Sequence, residues 1–464
     1  MTAHSNIYPT KALQELDAAH HWHPFSDMKS LNAEGSRVIT SADGVWLTDS
    51  NGNKILDGMA GLWCVQVGHG RSEITEAVTK QMNELAYYNT FFKTTHPPAI
   101  ALSEKLAKLA PDHINTVFYC SSGSEANDTV FRMVRTYWDK MGKPDKKVII
   151  GRWNGYHGST LAGTSLGGMK AMHAQGDLPV SGVHHIDQPY WFGEGQDMSP
   201  EDFGVHVARK LEEAIDQIGE DKVAAFIAEP IQGAGGVIIP PETYWPEIKR
   251  ILEERDILFV SDEVICGFGR LGEWFGSSYY GVKPDLMPIA KGLTSGYLPM
   301  GGVLVSDRVV EGLMLAGDDF NHGYTYSGHP VCAAAALANL EIIEREGLVD
   351  RVKTDIGPYL KERWMKLGEH ELVGEARMTG LVGALELVPD KKNPTRKFSD
   401  VGVPGTLCRD VSFEHGMVMR AVRDSMIISP PLVLSHEEAD HLVATAEKTL
   451  NDTYRILKRD GWMG

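Results

Sequence analysis

No Cys-x-x-Cys pair occurs among the five cysteines, Cys64, Cys120, Cys266, Cys332 and Cys408. Their odd number and wide spacing exclude a disulfide framework and a sulfur-ligated zinc site. No apolar run approaches the ~20 residues that span a bilayer. The first nine residues, Met1-Thr-Ala-His-Ser-Asn-Ile-Tyr-Pro9, lack the charged and apolar regions of a signal peptide, so the reading is cytoplasmic. Basic residues are also in short supply. Lys and Arg total 45 against 62 Asp and Glu, a net charge of −17. That balance argues against nucleic acid or an anionic membrane as the main partner. There is no internal repeat and no low-complexity tract.

What is present is an ordinary globular composition, 42% hydrophobic and 23% charged, over 464 residues. That length allows two or three domains. An opening helix at 11–20 leads into His20-His-Trp-His-Pro-Phe25, whose histidines have no carboxylate at ligand spacing and read as structural, with no metal. A hairpin follows at 44–57 around the turn Asp49-Ser-Asn-Gly52. From about residue 70, apolar runs of strand length at 116–120, 147–150, 223–228 and 257–260 alternate with helical patterns. That rhythm predicts an α/β fold with a mostly parallel sheet covered on both faces. An Ala-rich helix at 331–345 leads into a smaller α+β unit. The capping-box pattern Ser435-His-Glu-Glu438 starts a last helix that Gly461 stops.

Chemistry concentrates at the ends of those strands. Asp262 follows the run at 257–260. Lys291 lies 29 residues further on, in Pro288-Ile-Ala-Lys-Gly-Leu-Thr-Ser-Gly296. A carboxylate at a strand end, then a lysine heading a Gly-rich loop, is the pair that pyridoxal phosphate needs. The lysine forms the Schiff base and the carboxylate keeps the pyridine nitrogen protonated. Cys120-Ser-Ser-Gly-Ser-Glu-Ala-Asn-Asp128 follows a strand and opens a helix, with Ser122 and Glu125 as a capping pair. Its free backbone N–H groups make a phosphate cradle at Gly123 and Ser124. Glu229 ends another strand and is placed to orient its neighbours. Tyr156-His157 offers a face to stack on a pyridine ring. Gly267-Phe-Gly-Arg-Leu-Gly272, with Asp285 beyond it, mimics a dinucleotide-binding turn. It runs into Glu-Trp-Phe-Gly rather than opening a helix, so nicotinamide binding is not expected.

Together these segments resemble the class III aminotransferases, in particular the ω-transaminases that pair amines with pyruvate. The matching stretches are Leu56-Asp-Gly-Met-Ala-Gly-Leu-Trp-Cys64, Tyr88-Asn-Thr-Phe-Phe92, Ser122-Gly-Ser-Glu-Ala126, Gly155-Tyr-His-Gly-Ser159, Ala228-Glu-Pro-Ile-Gln-Gly-Ala-Gly-Gly236, Asp262-Glu-Val-Ile-Cys-Gly-Phe-Gly-Arg270, Ala290-Lys-Gly-Leu293, Tyr324-Thr-Tyr-Ser-Gly-His-Pro330 and Ser429-Pro-Pro-Leu432. They keep the family's order over nearly the whole chain.

The resemblance implies a fold-type-I pyridoxal phosphate enzyme, a homodimer or tetramer with active sites at the subunit interface. Residues 66–329 would form the large domain, and 1–65 with 330–464 the small one. Lys291 would anchor the cofactor and also move the proton between substrate Cα and cofactor C4′. Asp262 would pair with the pyridinium, with His157 and Glu229 beside the cofactor. Val264 and Tyr156 would flank the ring, Gly123 and Ser124 would hold the phosphate, and Thr325 would reach it from the partner subunit. Phe25, Trp63, Phe92, Tyr156 and Ala234 would line the substrate pocket.

Arg420 matches the arginine that reads substrate carboxylates and swings away from uncharged amines, since an unpaired cation against apolar surface is costly. Arg423 stands where glycine is more usual and reads as a solvated loop arginine. The expected reaction is ping-pong: an amine donor, then pyruvate or a similar keto acid. An aminomutase, a decarboxylase or a non-catalytic cofactor-binding protein on the same scaffold stays open. So does the donor, among putrescine, taurine, β-alanine and aryl amines.

Overall fold

The computed structural model describes residues 9–463 except 196 and 316; residues 1–8, read above for a leader, lie outside the described residues. Three sheets organise the chain. The first is antiparallel: β1 (Ile39–Asp43), β2 (Trp46–Asp49) and β3 (Lys54–Leu56). The central sheet has seven strands: β4 (Ile114–Cys120), β5 (Val148–Arg152), β6 (Val183–Ile186), β7 (Val223–Ala228), β8 (Leu258–Ser261), β9 (Leu286–Ile289) and β10 (Gly301–Ser306). Their order is β4-β10-β9-β8-β7-β5-β6. The pairs from β6 across to β9 are parallel, and β10 runs antiparallel to both neighbours. The third sheet, antiparallel, comprises β11 (Val373–Thr379), β12 (Val382–Leu387), β13 (Arg420–Val422) and β14 (Ser425–Ile428), in the order β11-β12-β14-β13.

The fold is the expected α/β architecture with a mostly parallel sheet. Every residue of β7 and β8 is buried, as continuous apolar strands under helices on both faces must be. Three strands of the central sheet escaped the sequence pattern, for physical reasons. His184 and His185 interrupt the apolarity of β6, Pro288 sits inside β9, and β10 opens on two glycines. Pro288 is accommodated because β9 meets β8 through a single paired position, Val260 with Leu286.

The chain ends meet. The Leu56 N–H donates to Gly416 O at 2.8 Å, and the Val418 N–H donates back to Leu56 O at 2.9 Å. The N-terminal sheet is thus joined to the C-terminal third. Helix His436–Arg459 carries the full reciprocal capping box at Ser435 and Glu438. Helix Gly123–Lys140 carries a displaced one. Ser122 Oγ accepts from the Glu125 N–H at 3.2 Å, but Glu125 reaches past Ser122 to the Ser121 N–H at 2.7 Å.

One expectation is corrected. The histidines at 20–23 do have a carboxylate partner, Asp17, which is hydrogen-bonded to His21 Nδ1 and His23 Nε2, each at 2.9 Å. Asp17 lies one helical turn before His21, so helix Thr10–His20 stacks the two on one face. No helix among the described residues is long and apolar enough to cross a membrane.

Candidate active site

The C-terminal ends of β7, β8 and β9 deliver Glu229, Asp262 and Lys291 to one side of the sheet, the edge where α/β proteins gather ligands. Against them lies a cavity of about 780 Å³. Asp262, Lys291, Gly123, Ser124, Tyr156, His157, Glu229, Val264, Ala234, Trp63, Phe25 and Arg420 all line it. Phe92 and Thr325 do not. Phe92 is 87% exposed, and Thr325 is exposed too, with its carbonyl taking the Tyr87 hydroxyl at 2.7 Å.

Asp262 is buried and fully engaged. Its Oδ2 is hydrogen-bonded to His157 Nδ1 at 2.7 Å and accepts from Asn127 Nδ2 at 2.9 Å, while Oδ1 accepts from the Val264 N–H at 3.1 Å. His157, expected to stack on a ring, is instead buried behind the carboxylate. Asn127 escaped the sequence reading because an Asn inside a helix looks like surface. The available signal was spacing: it lies four residues after Gly123, on the same helix face. Its amide also donates to His157 O at 2.8 Å and Gly123 O at 3.3 Å. It therefore links the phosphate turn, the aromatic loop and the buried carboxylate.

Lys291 emerges from a left-handed backbone, φ 45°, at the head of the short 3₁₀ turn Lys291–Leu293. A lysine pays strain there, of order 1–3 kcal/mol, which persists only if the surroundings over-determine it. Buried Asn339 does so, donating to the carbonyls of Gly292 at 2.8 Å and Leu293 at 3.0 Å and accepting from Ser295 Oγ at 2.6 Å. Desolvation pushes the Lys291 amine below its usual pKa; Asp262 and Glu229 act against that push.

The walls are placed from behind. Glu229 accepts from the backbone N–H of Tyr156 and of Gly233, each at 3.0 Å, so it orients Tyr156 and the loop carrying Ala234. Burial raises its pKa. Ser124 Oγ accepts from the Ser159 N–H at 3.1 Å. That close approach needs Gly158, where an added Cβ would sit 2.7 Å from Ser124 Cα. The Trp63 ring faces two cations, Arg420 Cζ at 4.8 Å and Lys291 Nζ at 5.8 Å from its centroid. Burial lowers the pKa of Arg420. Arg409, which no sequence signal marked, also reaches the cavity. Arg423 does not; it lines a separate recess.

Three features fit the cofactor that the lysine–aspartate pair implies. The cradle at the N-terminus of an 18-residue helix closes tightly, since a Cβ on Gly123 would meet Val264 Cγ1 at 3.0 Å. A buried carboxylate and a lysine of lowered pKa face the same space. Two residues lining it, Trp63 and Asn127, each keep a buried polar atom, Nε1 and Oδ1, without a protein partner. The dinucleotide mimic at 267–272 is filled by protein. Arg270, buried, donates to the carbonyls of Leu381 and Pro430, and burial lowers its pKa to about 9.

A family model described as aminotransferase class-III matches residues 29–450. The putrescine–pyruvate aminotransferase of Pseudomonas aeruginosa is 61% identical over 444 residues, covering 96% of this chain and 97% of that one. The diaminobutyrate–2-oxoglutarate transaminase of Halomonas elongata is 42% identical over 99% of both. Among solved structures, the ω-transaminase of Pseudomonas jessenii in complex with PMP superposes with a TM-score of 0.94. It is 38% identical, over 96% of this chain and 99% of that one.

Proposed function

The chain belongs to the class III aminotransferases, and from that premise we propose a residue-by-residue assignment for an amine–pyruvate transaminase whose donor is a short aliphatic diamine of the putrescine type. The enzyme is a pyridoxal phosphate-dependent transaminase. When bound, pyridoxal phosphate supplies an aldehyde that joins to amines and a pyridinium that draws electrons from the substrate Cα–H bond. The single observation carrying the assignment is the convergence of Lys291 and Asp262 on one cavity at the strand ends.

Lys291 would tether the cofactor and then take and return the Cα proton; its lowered pKa favours the neutral amine that a base requires. Asp262, held by His157 and Asn127, would pair with the ring nitrogen. Gly123 and Ser124 would hold the phosphate at the helix N-terminus, where backbone N–H groups and the macrodipole favour an anion. Tyr156 and Val264 would flank the ring. Arg420 would read the keto-acid carboxylate, and the Trp63 face would receive its guanidinium when it is unpaired. The diamine proposal rests on the Pseudomonas aeruginosa relative and on the apolar lining of Phe25, Trp63, Met169 and Ala234.

We assign the small domain to residues 1–65 and 330–464, on the backbone bonds that join Leu56 to Gly416 and Val418. We further assign a homodimer in which Thr325 and Phe92 complete the partner's site. Both lie outside their own cavity, on a face where Tyr87, Tyr88, Phe91 and Tyr326 are also exposed. Five free cysteines support a reducing, cytoplasmic setting.

The test is alanine formation from pyruvate with putrescine, phenylethylamine, taurine and β-alanine as donors. Putrescine should give the highest kcat/KM. Turnover of taurine or β-alanine with none of putrescine would overturn the donor assignment.

A further inference from the structure

We infer that Arg423 is a positioning residue: it ties the turn of the β13–β14 hairpin to the loop that carries Tyr156, and thereby sets how firmly Arg420 is held in the cavity. The inference rests on the carboxylate-reading role given to Arg420 above.

The hairpin has a two-residue connection, Arg423-Asp424, between Arg420–Val422 and Ser425–Ile428. Its two faces look into different spaces. Arg420 lines the main cavity, whereas Arg423 lines a recess of about 70 Å³ shared with Asn154. There the Arg423 guanidinium donates to Asn154 Oδ1 at 2.9 Å. Asn154 stands two residues before Tyr156, whose N–H is fixed on Glu229, and the Asn154 N–H is itself fixed on Gly168 O at 3.1 Å. The far end of this bond is therefore an anchored loop.

Backbone geometry marks the contact as more than a solvated arginine meeting a neighbour. Arg423 has φ 54° and Asn154 φ 57°, so both partners occupy the left-handed region. A two-residue hairpin whose first residue is left-handed ordinarily places glycine there. An arginine at that position strains the turn, and the Asn154 bond is what its side chain makes from it. The opposite side of the turn is fixed independently. Asp424 Oδ1 accepts from the N–H groups of Gly402 at 3.0 Å and Gly405 at 3.1 Å, at the start of helix Val403–Glu414. The backbone of β14 is paired with β12 along the sheet. At the turn itself Asp424 grips one side and Arg423 the other, and the Arg423 bond leads to the loop that carries Tyr156.

The consequence is a population effect. Keto acids bind the form in which Arg420 points into the cavity, and apparent affinity falls with the fraction of that form. Releasing the Arg423 tether lowers that fraction. Amines without a carboxylate bind the form in which Arg420 has swung away, so their apparent affinity holds or rises.

The test uses the holoenzyme and steady-state KM values for pyruvate and for phenylethylamine. Arg423→Gly should melt at or above the wild-type temperature, because glycine suits φ 54°. It should raise the pyruvate KM about threefold or more, with kcat unchanged and the amine KM unchanged or lower. Asn154→Gly should raise the pyruvate KM equally, the double variant should add nothing further, and Arg423→Lys should recover part of the loss. Unchanged KM values in Arg423→Gly, equal changes for pyruvate and amine, or additive effects in the double variant would each overturn the inference. A wild-type enzyme that forms no alanine with any amine would overturn the transaminase assignment beneath it, a failure distinguishable from the others because it precedes any variant.

Discussion

The floor and the rim of the cavity are built by opposite means. At the floor, Asp262 is buried under three donors, and Lys291 rises from a strained turn locked by Asn339. At the rim, Phe25 is 77% exposed, Arg420 faces a ring rather than a carboxylate, and its strand β13 is the edge of the third sheet, with an exposed arginine at its turn. The floor hangs from the ends of β7, β8 and β9, strands inside the central sheet. The rim comes from the N-terminal arm and from β13, an edge strand of the third sheet. A ping-pong enzyme needs both. The proton must always move at the same atom, while one pocket must accept a cationic amine and then an anionic keto acid.

The largest effect should come from breaking the floor. Lys291→Ala removes both the tether and the base. Alanine formation should fall by a factor of about 10⁴ or more, as general-base loss alone accounts for 10²–10⁴. The variant should stay folded, because it removes a desolvated amine while Asn339 still holds the turn. Wild-type turnover in Lys291→Ala would refute the assignment of the floor.

The rim should respond selectively. Arg420→Ala should raise the pyruvate KM by about 10- to 50-fold, the value of a charge-assisted bidentate contact of ~1.4–2.3 kcal/mol. The phenylethylamine KM should hold or fall, since the cation no longer has to leave the pocket. Steady-state kinetics with each substrate varied separately measures both. Equal losses for acid and amine would mean that rim and floor are not separable in the way their construction indicates.

The same contrast decides how much could be read from the sequence. Asp262 was legible because it follows an apolar strand directly, and Lys291 because it heads a Gly-rich loop 29 residues further on. Glu229 was legible as an orienting group for the same reason as Asp262. Asn127 was hidden because its function depends on a helix face meeting two loops from elsewhere in the chain. His157 was found, but its ring was assigned to the cofactor's face, when burial turns it toward Asp262. Strands β6, β9 and β10 were missed where His, Pro and Gly interrupt the apolar run, although β9 and β10 are buried along their whole length. Phe92 marks a harder limit: it was expected to line the pocket and lies outside it, 87% exposed, because loop aromatics carry no periodicity that says which way they point.

The smallest effect should appear in the cofactor-free protein, and it sharpens the comparison because only the floor contains a buried lysine. Lys291 has a lowered pKa in the folded state, while in the unfolded chain it titrates near ~10.4. Below the folded value both states carry the proton, and burying the charge opposes folding. As pH rises through the folded value toward ~10.4, the folded protein gives up its proton first. The unfolded state then binds more protons, so stability rises with pH across that window, and above it the contribution vanishes. Lys291→Met removes the group and with it the slope. The cofactor-free variant should melt above wild type at pH 7, by ~1–2 °C for a chain of this size. The gap should narrow steadily as pH approaches 10. Arg420→Met, at the rim, should keep the slope but move its onset toward higher pH, because the Arg420 charge helps to hold the Lys291 pKa down. A gap for Lys291→Met that stays constant from pH 7 to 10 would show that the floor lysine folds without a desolvated charge. The proton-shuttle role would then need another source for its neutral amine.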